Sequence, residues 1–229
     1  MNVGFPPASA DKPDRFRGAV LLAVVAALIL TVSVPVLGAQ EKTSFNWAFV
    51  KRGADGSPIP LDFKERVNIS QGDLFKIHVQ PLDHAYIYLL LQDTQGDLQR
   101  LFPESFDEFA RASYLTTRYF IPEGENWFTL DNAKGTERFH LLASRDRLAK
   151  LETLVRSFEK AGAAGKAAAR EAVLDEIARL RKEHSQLTIA AEKPVTVAGG
   201  TRGINTAVQK VATRIDAAGF YYKLFRLEH

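Results

Sequence analysis

The stretch DLFKIHVQPLDHAYIYLLL, residues 73–91, decides how the rest of the chain can fold. Every second residue of 75–79 is apolar, and this alternation predicts a strand with one buried face. Residues 81–84 contain Pro and Asp, which favour a turn. Residues 85–91 are apolar on both faces, as is typical of a strand that is covered on both sides. This last run is therefore expected at the centre of a core.

Strand signals continue on both sides of this stretch. Residues 44–51 (SFNWAFVK) place three aromatic side chains on one face of a predicted strand, and an Asp-Gly turn follows. Further strands are predicted at 67–69, 98–102, 127–130 and 137–143. The segment between them, residues 103–121, is less regular, with one helical turn expected near Ser105.

After residue 144 the apolar residues recur at helical spacing. This predicts an αα-hairpin at about residues 146–183, capped by Ser144, that packs one apolar face onto the sheet. Short strands at 187–190 and 195–198 follow. Residues 220–227 (FYYKLFRL) have strong β-propensity and would be an aggregation hazard if unpaired, so they are expected to pair inside the sandwich of residues 44–144.

These elements predict an α+β fold, an antiparallel β-sandwich with an αα-hairpin inserted before the C-terminal strands. The chain has 229 residues, which suits one large domain, here residues 40–229, behind an N-terminal segment. Its 30 basic and 27 acidic residues are too balanced for a dedicated nucleic-acid binder. It has no cysteine, which excludes disulfides, thiolate nucleophiles and cysteine-based zinc sites.

The N-terminal segment, residues 1–39, has the layout of a secretory signal peptide. Arg15 and Arg17 precede an uncharged apolar run at residues 19–37, and small residues up to Ala39 offer a cleavage site. The same run is long enough to span a bilayer if it is retained as an anchor. Either alternative places residues 40–229 on the extracytoplasmic side of the membrane, as a periplasmic or exported domain.

Short motifs in residues 70–144 occur in a recognisable order. They are Gly72-Asp73, AYIYLL at 85–90, Gln95-Gly96, Leu101-Phe102-Pro103, Ile121-Pro122, Trp127-Phe128, Gly135-Thr136-Glu137 and LLAS at 141–144. In this order and spacing the block resembles the bacterial family called domain of unknown function 4384. The resemblance implies a β-sandwich-like domain of exported or multidomain bacterial proteins. The family has no assigned activity, so the resemblance implies no catalytic positions.

The polar residues give weak signals for chemistry. The histidines include no H-x-x-x-H or H-x-H pair, so neither a metal site nor a cofactor is predicted. No G-x-S-x-G nucleophile motif occurs. Loop carboxylates could bind a cation or flank a sugar, although a solvated loop is the simpler interpretation; they are Asp107, Glu108, Glu123 and Glu125. The glycine-rich residues 199–203 lack the Lys-Ser/Thr ending of a phosphate loop.

Aromatic and basic residues offer two surfaces for recognition. Four aromatic residues of the irregular segment are candidate groove residues, with core filling as the alternative: Phe106, Phe109, Tyr114 and Tyr119. Basic residues of the second helix form either a solvated face or a contact to an acidic partner or lipid headgroups: Arg170, Arg179, Arg181 and Lys182.

Two functions from different classes remain open. The favoured hypothesis is a non-enzymatic interaction module of the bacterial cell envelope, binding an envelope protein or cell-wall component but no nucleic acid, and contacting the membrane if the leader is retained. The alternative is a cell-wall or glycan-acting enzyme, or its accessory subunit, that uses the loop carboxylates.

Overall fold

The computed structural model describes Met1 and residues 42–63, 67–129, 134–185, 190–195 and 212–228. The described residues between 42 and 228 form one compact unit. The predicted leader after Met1, the glycine-rich loop at 199–203, and residues 187–189 and 196–198 of the two short predicted strands lie outside the described residues. The elements in chain order are β1 (Lys42–Arg52), β2 (Pro58–Pro60), β3 (Val67–Asn68), β4 (Leu74–Asp83), β5 (Tyr86–Gln92), β6 (Leu98–Phe102), two 3-10 helices (Phe106–Ala110 and Tyr114–Thr116), β7 (Tyr119–Ile121), β8 (Phe128–Thr129), β9 (Thr136–Ser144), α1 (Ala149–Lys160), α2 (Ala163–Glu183), β10 (Ala191–Val195), β11 (Ala212–Ala218) and β12 (Phe220–Glu228).

The described strands form two sheets. The seven-stranded sheet has the order β10-β11-β1-β4-β7, with β2 added to β1 and β8 added to β4. The five-stranded sheet has the order β3-β12-β9-β5-β6. Neighbouring strands are antiparallel, except that the two-residue β3 runs parallel to β12. The predicted α+β sandwich is confirmed.

The core between the sheets is aromatic. Trp47 and Phe49 of β1 contact Phe225 of β12, with ring centroids 4.6 and 4.8 Å apart. Phe49 also meets Phe139 of β9 edge-on at 5.4 Å. All four side chains are at least 95% buried. Because β12 supplies a central part of this core, the predicted pairing of residues 220–227 inside the sandwich is confirmed.

The helical hairpin covers the opposite, outer face of the five-stranded sheet. Tyr88 of β5 donates a hydrogen bond to Glu152 of α1, and Arg181 of α2 lies over the ring of Tyr222 in β12. Both faces of β5 are therefore covered, as its apolar composition predicted. Ile177 of α2 is 2% exposed, and Leu154 of α1 packs against the same core.

Two local predictions were wrong, and one strand was missed. Pro81 does not end a strand but lies within β4, where a bulge opposite β1 absorbs one residue. Pairing of β4 with β7 stops at Val79. Pro81, which lacks a backbone N–H, therefore has no neighbouring strand on the β7 side to which a hydrogen bond would be lost. Ser144 is the last residue of β9, and the cap position of α1 is Leu148. Strand β11, rich in alanine, was not predicted.

Candidate functional site

The histidines do not converge on one site. His78 of β4 is 1% exposed, its Nδ1 lies 3.1 Å from the carbonyl oxygen of Tyr119, and burial lowers its pKa to about 4. His84 is exposed in the turn after β4 and lies beside Asp83. His140 belongs to β9, in the other sheet. Within the described residues no group of three or more His, Asp or Glu side chains could hold a metal ion.

The loop carboxylates have different environments. Glu108 is 5% exposed and its Oε1 accepts a hydrogen bond from the backbone N–H of Ser105, 2.8 Å away, so it caps a 3-10 helix. Asp107, Glu123 and Glu125 are exposed. Glu108 and Glu123 nevertheless line one cavity of about 260 Å³.

This edge cavity lies between β6 and β7, the strands that end the five-stranded and seven-stranded sheets on one side. Its walls include Phe102, Arg100 and Tyr119. Arg100 donates to Glu159 of α1 at 2.7 Å and lies over the ring of Phe106. The cavity thus combines an aromatic wall with charged groups, of which Arg100 and Glu108 already have partners.

The aromatic residues predicted to line a groove are mostly core. Phe106, Phe109 and Tyr114 are 3%, 7% and 2% exposed. The hydroxyl of Tyr114 accepts a hydrogen bond from the backbone N–H of Ile87, 3.0 Å away, which ties the irregular segment to β5. Tyr119 alone of the four lines the edge cavity. Core filling therefore accounts for three of the four residues.

A second cavity, of about 280 Å³, opens beside Trp47 and was not predicted. β1, β10, β11, β12 and the loop after β2 form its walls. Trp47 is 5% exposed, and its indole Nε1 is buried without a hydrogen-bond partner among the described residues. Lys223 and Glu192 form an ion pair of 2.8 Å in the same wall. The wall is thus aromatic with a charged rim, which is the usual make-up of a ligand pocket. The indole N–H itself has almost no exposed surface.

The two buried acids of the helical hairpin are fully partnered. Glu152 is 2% exposed and accepts hydrogen bonds from Arg147 and from the hydroxyl of Tyr88. Glu176 is 3% exposed and pairs with Lys150 and Arg179, each at 2.6 Å. The hydrogen bond from Arg179 and the pair with Lys150 outweigh burial and hold the pKa of Glu176 below its usual range.

The basic residues predicted as one face of α2 fall into two groups. Arg170 and Arg179 form ion pairs with acids of their own helix. Arg181 and Lys182 instead line a third cavity, of about 460 Å³, between the end of α2 and β12. Tyr222 and Phe220 form its floor, and the ring of His184 stacks on Phe220 with centroids 4.5 Å apart.

No helix of the described residues has the length and apolar character needed to cross a membrane. The apolar run at 19–37 is not among those residues.

Comparison with known families and proteins gives one match. The family model described as Domain of unknown function (DUF4384) matches residues 68–147, which confirms the resemblance predicted from the sequence motifs. The matched segment contains β4 to β9 but neither long helix nor β10 to β12. Comparisons with curated proteins and with solved structures find no match.

Proposed function

We propose that this protein is a non-enzymatic interaction module on the extracytoplasmic side of the bacterial cell envelope, and that it holds its partner at the Trp47 cavity. The partner is an envelope protein or a cell-wall component. One observation carries the proposal: Trp47, whose buried indole N–H has no acceptor among the described residues, lines an open cavity with an aromatic wall and a charged rim. A buried donor without an acceptor costs about 1–3 kcal/mol, and a bound ligand that supplies one removes that cost.

The shape and chemistry of the cavity support recognition of a partner. Phe49 and Phe63 offer apolar surface, while Glu192 and Lys223 offer one charge of each sign at the rim. The matched family has no assigned activity, so it adds no catalytic expectation. The basic residues followed by the apolar run at 19–37 support export, either as a cleaved signal or as an anchor.

Site-specific crosslinking tests the binding site in cells. A photoreactive residue replaces Thr213, which lines the Trp47 cavity, in the full chain expressed in a bacterium. We expect a discrete adduct with an envelope component. Trp47→Phe, which keeps an aromatic ring but removes the N–H, should weaken binding roughly five- to tenfold.

Two controls make the crosslinking result specific. The same photoreactive residue at exposed Leu115 should give no such adduct. Trp127→Phe removes the other tryptophan and should leave the adduct at position 213 intact. Equal labelling from both positions, or labelling that is insensitive to Trp47→Phe, would contradict the proposal.

Export is tested separately. Residues 1–45 fused to a reporter that is active only outside the cytoplasm should give signal. Mass spectrometry of the mature protein should find an N-terminus near Ala39 or Gln40 if the leader is cleaved, and an intact Met1 if it is an anchor. Reporter activity that stays cytoplasmic would contradict the proposed location.

A cell-wall or glycan-acting enzyme is the second candidate, because Glu108 and Glu123 line the same edge cavity. Paired carboxylates across a cavity are the arrangement that glycoside hydrolysis requires. Incubation of the full chain with purified peptidoglycan distinguishes the two. Release of soluble fragments that disappears in Glu123→Ala would establish the enzyme and overturn the binding module, whereas the favoured proposal expects no cleavage.

A further inference from the structure

Two arginines face each other on the outer side of the five-stranded sheet. Arg138 of β9 and Arg226 of β12 are directly opposite in the antiparallel register. Like charges in this position destabilise a sheet. Among the described residues neither arginine forms an ion pair, although both are at least partly exposed. Such a pair needs an explanation other than the stability of the sheet.

The end of α2 brings more positive charge to the same face. Arg181 lies with its guanidinium 4.6 Å from the ring centroid of Tyr222, and Lys182 follows it. Neither has an acidic partner in the described part of the chain. Cations are favoured at a helix C-terminus, which accounts for Arg181 and Lys182 but not for the two arginines on the strands.

The three arginines converge on one imidazole. His140, 8% exposed, lies two residues from Arg138 on the same face, and its Nδ1 is 3.0 Å from the hydroxyl oxygen of Tyr222. Burial, followed by the charges of Arg181, Arg138 and Arg226, lowers its pKa to about 4. At neutral pH the ring is therefore uncharged. Its Nε2 is buried without a partner among the described residues.

We propose that this arginine surface, formed by Arg138, Arg181 and Arg226 around His140 and Tyr222, binds a phosphate-class oxyanion. Planar guanidinium forks match the oxygens of a phosphate group, and several of them around one group neutralise its charge. The cavity of about 460 Å³ that Tyr222 and Arg181 line lies beside the surface and leaves room for the rest of the ligand. The aromatic floor at Phe220 suits an organic moiety attached to the phosphate.

This inference is independent of the Trp47 cavity. Tyr222 and Arg226 are on the outer face of β12, whereas Lys223 and Phe225, which surround Trp47, are on the inner face. Loss of one site therefore leaves the other untouched. The phosphate group belongs either to a soluble ligand or to a lipid headgroup, and separate arms of the experiment distinguish these sources.

The first arm titrates the full chain with inorganic phosphate and follows the melting temperature and the imidazole NMR signals of His140. We expect a saturable rise in melting temperature and a shift of those signals, neither of which chloride reproduces at equal ionic strength. The double variant Arg138→Gln/Arg226→Gln should bind phosphate at least about tenfold more weakly. The control Arg111→Gln/Arg170→Gln removes the same formal charge elsewhere and should bind as the parent does.

The second arm measures co-sedimentation with phosphatidylglycerol-containing vesicles and with neutral phosphatidylcholine vesicles. Binding to the anionic vesicles that is lost in the Arg138/Arg226 variant makes the ligand a lipid headgroup. Phosphate binding without vesicle binding makes it a soluble phosphate compound. The proposal is overturned if phosphate gives no saturable response, or if both double variants lose binding equally, since that would mean attraction by net charge alone.

Discussion

The two ends of one sheet face differ in how charge is balanced. Under the helical hairpin, the buried acids Glu152 and Glu176 each have at least two donors from basic or hydroxyl side chains. Four residues further along β12 from Tyr222, Arg226 lies directly opposite Arg138, and no acid is paired to either arginine in the described residues. The same sheet thus carries a closed charge network at one end and an open positive surface at the other.

The difference follows from exposure. A carboxylate that is 2–3% exposed has lost most of its water, and partners must replace that hydration. An arginine that keeps contact with solvent can remain without a partner at small cost. The buried acids under the hairpin therefore need partners for the protein to fold. The exposed arginines at the open end do not, so they remain available for a ligand.

Loss of the helical cover should have the largest effect. Ile177→Ala removes a side chain that is 2% exposed beneath α2, and about 2–5 kcal/mol of unfolding free energy should be lost. Leu154→Ala, at a half-buried position of α1, should cost less, about 1–2 kcal/mol. Urea denaturation measures both. Losses below about 0.5 kcal/mol at both positions would mean that the hairpin is only loosely attached.

Breaking the closed network comes next. Arg147→Ala leaves the buried carboxylate of Glu152 with the hydroxyl of Tyr88 and a more distant Arg156, 3.8 Å away. We expect the free energy of unfolding to fall by about 2–3 kcal/mol. This is less than the loss expected when a buried carboxylate keeps no partner at all, because Glu152 still has Tyr88. Arg170→Ala, which breaks the exposed pair with Glu171, should cost under about 1 kcal/mol. Equal losses of stability in Arg147→Ala and Arg170→Ala would show that burial of the acid does not determine how much its ion pair stabilises the protein.

The pH dependence probes the open end. Folded His140 has a pKa of about 4 against an ordinary 6.5. As pH falls from 6.5 to 4 the unfolded chain binds a proton that the folded chain does not, so stability decreases over that window. His140→Gln, which cannot titrate, should remove about 3 kcal/mol of the decrease. The share due to His78, whose pKa is also about 4, should remain. An unchanged profile would contradict this prediction.

The smallest expected change in the free energy of unfolding is a gain rather than a loss. Arg226→Glu replaces the like-charge pair with Arg138 by an opposite-charge pair and should stabilise the protein by about 0.5–1 kcal/mol. Thermal unfolding at low and high salt measures the change, and the gain should shrink as salt increases. Destabilisation at low salt would mean that Arg226 has a partner outside the described residues.

Periodicity predicted most of the fold because each strand and helix carries its own burial pattern. The both-sided apolar run of β5 and the aromatic run of β12 predicted covered, paired strands, and the change of period after residue 144 predicted the helical hairpin. Strand β11 was missed because alanines are three of its four apolar residues. Its weak signal was Ile215 and Ala217 alternating with Arg214 and Asp216.

The sites could not be predicted in the same way because they depend on register. Trp47 was expected on one face of a strand with two other aromatic side chains, but its cavity also needs Pro194 of β10 and Lys223 of β12, far away in sequence. Likewise, Arg138 and Arg226 are unremarkable until residues 136–144 and 220–228 are aligned. A shift of one residue would place one arginine inside the core.

A single residue, Gly219, joins β11 of the seven-stranded sheet to β12 of the five-stranded sheet, with a φ of 77° that suits glycine. Residues 212–228 therefore supply a neighbour for β1 in one layer and for β9 in the other. As the chain leaves the ribosome, neither layer can be completed until this segment emerges. Folding then depends on pairing between strands that are far apart in sequence, and such folding is slow. We therefore expect the nascent chain to remain unfolded until almost all of this domain has been synthesised.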